Sequence, residues 1–258
     1  MNKLTKVTLG ALLGLGLMGA SASASETDTS VNPSVNPIVK RIGAKASGSA
    51  MLATDVLWRG VSSTAEGVGT EIDLVLDFDT DIGTFYGGAD VAGSVSNASI
   101  IYKAGYSNTW GEDFPVLTVI EYNINDFQNT AAKGGQDLTD SNFENVLATV
   151  GVTVFDIDVW GTGEFVTNEN DTADYNTEDR YGVGADYVVQ TLAGDIILAG
   201  SFFDQDKWGQ NWAVGASNPI TKNLILGVSY NDFDIDNDTQ SGLTKDTETV
   251  VGTLTYLF

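Results

Sequence analysis

The chain has 258 residues, with 12 Lys and Arg against 35 Asp and Glu, a formal charge of −23, and neither His nor Cys. That charge excludes nucleic acid and other polyanions as partners, since counterion release needs Lys and Arg, and it favours cations. The missing residues exclude Ser-His-Asp and Cys-His catalysis, disulfides, and transition metals held by His or Cys.

In chain order, Lys3 and Lys6 precede an uncharged apolar run, Val7 to Met18, and then Ala20-Ser21-Ala22-Ser23-Ala24. This is the order of a secretory signal, 1–24, cut after Ala24 or, in the overlapping site, after Ala22. The run is shorter than the roughly 20 residues a spanning helix needs. No Cys stands at the cleavage site, so no lipid anchor is expected. Residues 25–48 are polar and carry the small repeat Val31-Asn32-Pro33-Ser34-Val35-Asn36-Pro37. They are expected to form a periplasmic tail or linker, with entry into a lumen left open.

From 49 to 258 the dominant period is two. Ile72, Leu74, Leu76 and Phe78 share one strand face, while Glu71, Asp73, Asp77 and Asp79 share the other. Strict alternation of this kind marks a strand with one apolar and one wet face. The same pattern recurs where Ile120, Tyr122 and Ile124 oppose Glu121, and where Tyr181, Val183 and Tyr187 oppose Arg180 and Asp186. It predicts about twelve strands, near 49–59, 69–79, 84–95, 97–107, 115–126, 142–155, 157–166, 179–190, 194–203, 209–217, 223–233 and 247–258. Most reach the roughly 9–11 residues that cross a bilayer at a tilt. Connections after odd strands tend to be long and polar, and those after even strands short, the asymmetry of outer-membrane barrels. Ser94–Ala98 and Asn108–Phe114 run against it. The expected fold is all-β, a transmembrane antiparallel up-and-down barrel.

Trp58, Tyr106, Trp110, Trp160, Tyr181, Trp208, Trp212 and Tyr256 fall at or near strand ends, where amphipathic rings suit a headgroup girdle. In the last strand Val250, Leu254, Tyr256 and the terminal Phe258 share a face. Leu254, Tyr256 and Phe258 resemble the address that barrel-insertion machinery reads. Outer-membrane lipid and that machinery are the expected partners, and the outer membrane the expected location.

The segment Ala53-Thr54-Asp55-Val56-Leu57-Trp58-Arg59-Gly60-Val61-Ser62-Ser63 resembles the opening strand of the TorF-family porins, roughly S-D-Y-x-x-R-G-x-S. Gly83-Thr84-Phe85-Tyr86-Gly87-Gly88-Ala89-Asp90 is similar to that family's G-x-Y-x-G segment, and Tyr102-Lys103-Ala104-Gly105-Tyr106 to its Y-x-G-Y strand. Val56 stands where an aromatic is usual, and Ser63 where Gln is common. The resemblance implies an outer-membrane barrel with a pore and leaves the solute undefined.

Charge is costly on a lipid face, so alternation assigns Asp55, Arg59, Glu71, Asp73, Asp77, Asp79, Asp90, Lys103, Glu121 and Asp186 to the wall of the lumen. Eight are acids and two are basic, which implies a preference for cations or small solutes over anions. Asp73 is expected to face water. Asp232-Phe233-Asp234-Ile235-Asp236-Asn237-Asp238 starts like a calcium loop, but the pattern needs Gly sixth and Glu twelfth. From Asp232 those places hold Asn237 and Leu243, so no metal site is assigned. No cofactor and no enzymatic activity are expected. The expected function is passive, cation-preferring passage of ions or small solutes. The alternative is a plugged barrel with a structural or surface-interaction role, its acidic loops binding cations or a partner.

Overall fold

The computed structural model describes residues 44–58, 61–62, 67–94, 97–111, 114–128, 142–169, 179–192, 194–205, 209–235 and 247–258. The expected signal peptide, Arg59, Trp208 and the expected calcium-like loop beyond Ile235 lie outside these residues. The strands are β1 (Lys45–Ala53), β2 (Leu57–Trp58), β3 (Val61–Ser62), β4 (Gly69–Thr80), β5 (Gly83–Ser94), β6 (Asn97–Trp110) and β7 (Val116–Gln128). They continue as β8 (Asn142–Val154), β9 (Ile157–Glu169), β10 (Arg180–Thr191), β11 (Gly194–Gln205), β12 (Gly209–Pro219), β13 (Leu224–Ile235) and β14 (Thr247–Leu257).

All but β2 and β3 form one closed antiparallel barrel, β1-β14-β13-β12-β11-β10-β9-β8-β7-β6-β5-β4, sealed by pairing of β1 with β4. Closure leaves no unpaired edge, the condition for a sheet to exist in lipid. The wall starts at Lys45, so the end of the expected 25–48 tail is already barrel. β1 ends at Ala53 and not at Arg59, because the chain turns away after Thr54.

One end of the barrel has tight connections. Phe155 and Asp156 form a two-residue turn with φ 53 and 65, the left-handed geometry that matches strand twist. Thr80 and Thr191 each donate a hydroxyl hydrogen bond at 2.6 Å to the carbonyl of Gly83 and Gly194, whose φ values are 138 and 120. Glycine is required at those two places because side chains rarely adopt that backbone. The long connections, 54–68, 129–141, 170–179 and 236–246, all leave the opposite end. Ser94 to Asn97 is short there, and Gly111 to Pro115 is the longer connection at the turn end, as the spacing predicts.

Outward side chains form an apolar surface: Leu74 is 53% exposed, Ile120 56%, Val183 57% and Val250 65%. In water such a surface would be an aggregation site, whereas in a bilayer it is the lipid face. Aromatic pairs edge it at both ends. Phe165 and Tyr181 (ring centroids 5.8 Å apart) and Trp212 and Tyr230 (5.2 Å) lie toward the loop end. Phe85 and Tyr106 (5.0 Å) and the stacked Tyr256 and Phe258 (6.4 Å) lie toward the turn end. Trp160 is a correction: it faces inward, is 2% exposed, and packs at 5.9 Å on Phe203.

Phe258 also closes the seam. Its N–H bonds to the Gly48 carbonyl at 3.0 Å, and the Gly48 N–H returns a bond to its carbonyl at 3.0 Å. Any side chain on Gly48 would strike the Phe258 ring. Deleting Phe258 removes both bonds, each worth about 0.5–1.5 kcal/mol net, and the stack on Tyr256. The fraction of protein that resists unfolding in a semi-native gel is expected to fall; an unchanged fraction would count against this seam.

Candidate functional site: the barrel interior

The inward faces of β4 to β7 bring most of the expected wall residues together. Asp73 pairs in register with Asp90, and Glu71 lies between Met51 of β1 and Ala92 of β5. Lys103 of β6 sits opposite Gly88, two strands from Asp73. It leans across β5 at Gly88, where a side chain would press on its Cε, and its ammonium reaches the Asp73 carboxylate at 2.5 Å. Glu71 and Asp77 share the inward face of β4 with Asp73, and Asp90 lies opposite Asp73 on β5. Tyr86 repeats the device one strand on. Its ring lies over Gly105 of β6, and its hydroxyl donates to Glu121 of β7 at 2.9 Å.

Asp73 is 0% exposed. It faces inward as the alternation predicts, but it is ion-paired rather than water-facing. Glu71, Asp90 and Asp55 are also buried, and Asp77 is half-buried. Asp79 is exposed at the turn-end rim, paired with Lys45 at 2.8 Å and accepting from the Thr84 hydroxyl at 2.8 Å. Asp186 is buried on β10, opposite Asp158 of β9 and away from the main cluster. Among the described residues no group of three or more His, Cys, Asp or Glu could hold a metal ion.

A second inward array was not among the expected residues. The Asn125 side-chain amide donates to Asn145 at 3.1 Å, and Asn145 donates to Glu164 at 2.5 Å. The Arg180 guanidinium is 3.8 Å from the other Glu164 oxygen and 3.8 Å from the centre of the Phe203 ring. This ladder crosses β7 to β11. Its signal was present, since outward Val159 and Phe165 imply an inward Glu164. The glycines around Glu164 blurred the alternation. Rings again lie across glycine, Trp160 over Gly184 and Phe203 over Gly182. The acids and their Lys therefore gather on one wall and the amide ladder on the next.

Neither a protein-family model nor a characterised protein sequence matches the chain. Solved structures do. A KdgM porin in complex with disordered oligogalacturonate superimposes with a TM-score of 0.51 at 11% identity, covering 82% of this chain and 99% of that one. An active-site mutant of outer membrane phospholipase A from Escherichia coli superimposes with a TM-score of 0.51 at 14% identity, covering 89% of this chain and 94% of that one. The second match overturns the expectation that this chain is not an enzyme: an enzyme shares the architecture, so the barrel does not exclude catalysis. The missing His and Cys restrict only the chemistry that depends on them. At these identities the matches show fold alone, and that fold is the twelve-strand outer-membrane β-barrel.

Proposed function

We propose that the chain is a porin-type outer-membrane passage for small cations. The observation that carries this reading is the gathering of Glu71, Asp73, Asp90 and half-buried Asp77 near Lys103 on one inward wall, with Glu121 next along it on β7. Acids outnumber their base there, and a one-signed lining in a low-dielectric channel concentrates counterions. Twelve strands lie between the filled eight-stranded barrel and the open sixteen-stranded channel, so the bore is narrow.

The TorF-family motifs support the same reading. The expected export signal at 1–24 and the periplasmic tail fit it, as does recognition of Leu254, Tyr256 and Phe258 by the assembly machinery. All three of these side chains are on the outward or terminal surface of β14.

A plugged barrel is the second reading, favoured by how little of the inner belt is exposed: Asn125 is 1%, Phe233 1% and Asn231 2%. Single-channel recording in planar bilayers separates the two. The pore reading expects steps of current and a cation-selective reversal potential in a salt gradient. Selectivity should sharpen in dilute salt, where the Debye length grows from about 10 Å to about 30 Å. Asp77→Asn with Glu121→Gln should move the reversal potential toward zero, because these are the less buried acids of the wall. An unselective or anion-selective channel, or one indifferent to both substitutions, would end the cation assignment.

A further inference from the structure

We infer that the segment following β1 is an internal constriction, with Asp55 to Leu57 folded into the loop-end mouth so that they limit the bore more than the strands do. This rests on the passage reading above. After Ala53 the chain makes one more contact with the last strand: Thr54 N–H bonds to the Gly252 carbonyl at 2.9 Å, and Gly252 N–H bonds to the Thr54 hydroxyl at 2.9 Å. It then turns inward. Asp55, Val56 and Leu57 are 3%, 6% and 9% exposed. Beyond them Leu57 pairs with Ser62 and Trp58 with Val61, so the segment doubles back as the short β2–β3 hairpin.

The surroundings of Val56 and Leu57 locate it. They form one apolar cluster with Ala53 and Val251, against which Met51 and Ala92 pack. Register puts all four of those wall residues on the inward face: Met51 and Ala92 flank Glu71, Ala53 lies two residues beyond Met51, and Val251 opposes buried Ser229. A loop lying outside the barrel could not touch inward side chains of β14, β1 and β5 together. Apolar burial holds the hairpin there, beside Glu71 and the acidic wall. A solute entering from the loop end therefore passes a narrowed sector at the level of Glu71 before it meets Asp73, Asp90 and Lys103.

The test replaces residues 55–62 with a four-residue Gly-Ser linker. This is geometrically mild, because β1 and β4 are adjacent strands with Ala53 opposite Gly69. Conductance in bilayers and liposome swelling with neutral sugars of graded size are compared with the full chain. Larger conductance, by several-fold, and entry of larger sugars are the expected results. A full chain that never conducts beside a variant that does would support the hairpin as an occluding element while overturning passage in the unaltered protein. Equal behaviour of the two, whether both conduct or both stay closed, would overturn the constriction. Val56→Ser with Leu57→Ser keeps the chain length should the linker variant fail to fold, and is expected to widen the pore to a smaller degree; no change there overturns the inference too. Position is checked separately. The chain has no Cys, so in Val56→Cys a single thiol is expected to resist a bulky impermeant maleimide until the barrel is unfolded. Rapid labelling of the folded barrel would place the segment outside and end the proposal.

Discussion

Lys103→Met is expected to destabilise the barrel by about 3–5 kcal/mol, the cost of removing one partner of a buried ion pair. The Lys103 and Asp73 side chains are 8% and 0% exposed and meet at 2.5 Å. Glu71 precedes Asp73 by two residues on the same face, and Asp90 lies opposite Asp73 on β5, so the vacated site stays among acids. The loss is therefore larger than that of a surface pair, which is worth about 0–1 kcal/mol. Urea unfolding in lipid vesicles measures it. Lys103→Arg should retain most of the stability, and Asp73→Asn added to Lys103→Met should restore part of it. A cost below about 1 kcal/mol would show that water in the lumen already solvates these acids.

Leu74→Arg is expected to cost about 2–4 kcal/mol, the range for a cation on the lipid face near the midplane. Leu74 is half-exposed near the middle of β4, between Gly48 and Ala89 on the neighbouring strands. The substitution places an arginine in hydrocarbon without a partner. The same unfolding experiment reads it, and salt offers a control, since a lipid-facing charge gains nothing from added electrolyte in the bulk. A negligible cost would mean that this surface does not meet hydrocarbon. Adjacent residues 73 and 74 are thus both sensitive, for opposite reasons: one needs its charge compensated, the other needs no charge at all.

Strand positions were legible because a two-residue period is strict wherever one face meets lipid, as in Ile72 to Phe78 against Glu71 to Asp79. The inward assignment of Asp73, Asp90, Lys103 and Glu121 follows from that period alone. What periodicity cannot convey is hydration. It places Asp73 on the inner face without revealing that Lys103 reaches it across an intervening strand, a contact that depends on Gly88. The end of β1 was illegible for a related reason. Asp55 and Leu57 continue the alternation of Met51 and Ala53, yet the chain leaves the wall after Ala53 and buries both inside. Trp160 misled because its place near a strand start suits a girdle equally well. The period that makes Val159 outward makes Trp160 inward, and its ring fills the gap left by Gly184 opposite it.

Side chains that recline over glycines have a consequence for how such a barrel can change over generations. Adding a pair of strands alters the diameter in one coarse step and demands a new closure register. Adding a methyl group at Gly105 or Gly184 would instead lift one ring, Tyr86 or Trp160, off its bed and tip it toward the axis. The tolerance of the fold is untouched, because strand count, seam and lipid surface stay as they were. Calibre in this architecture is therefore a quantity that single codons can dial, independently at several points around the circumference, while the staves of the cask keep their number.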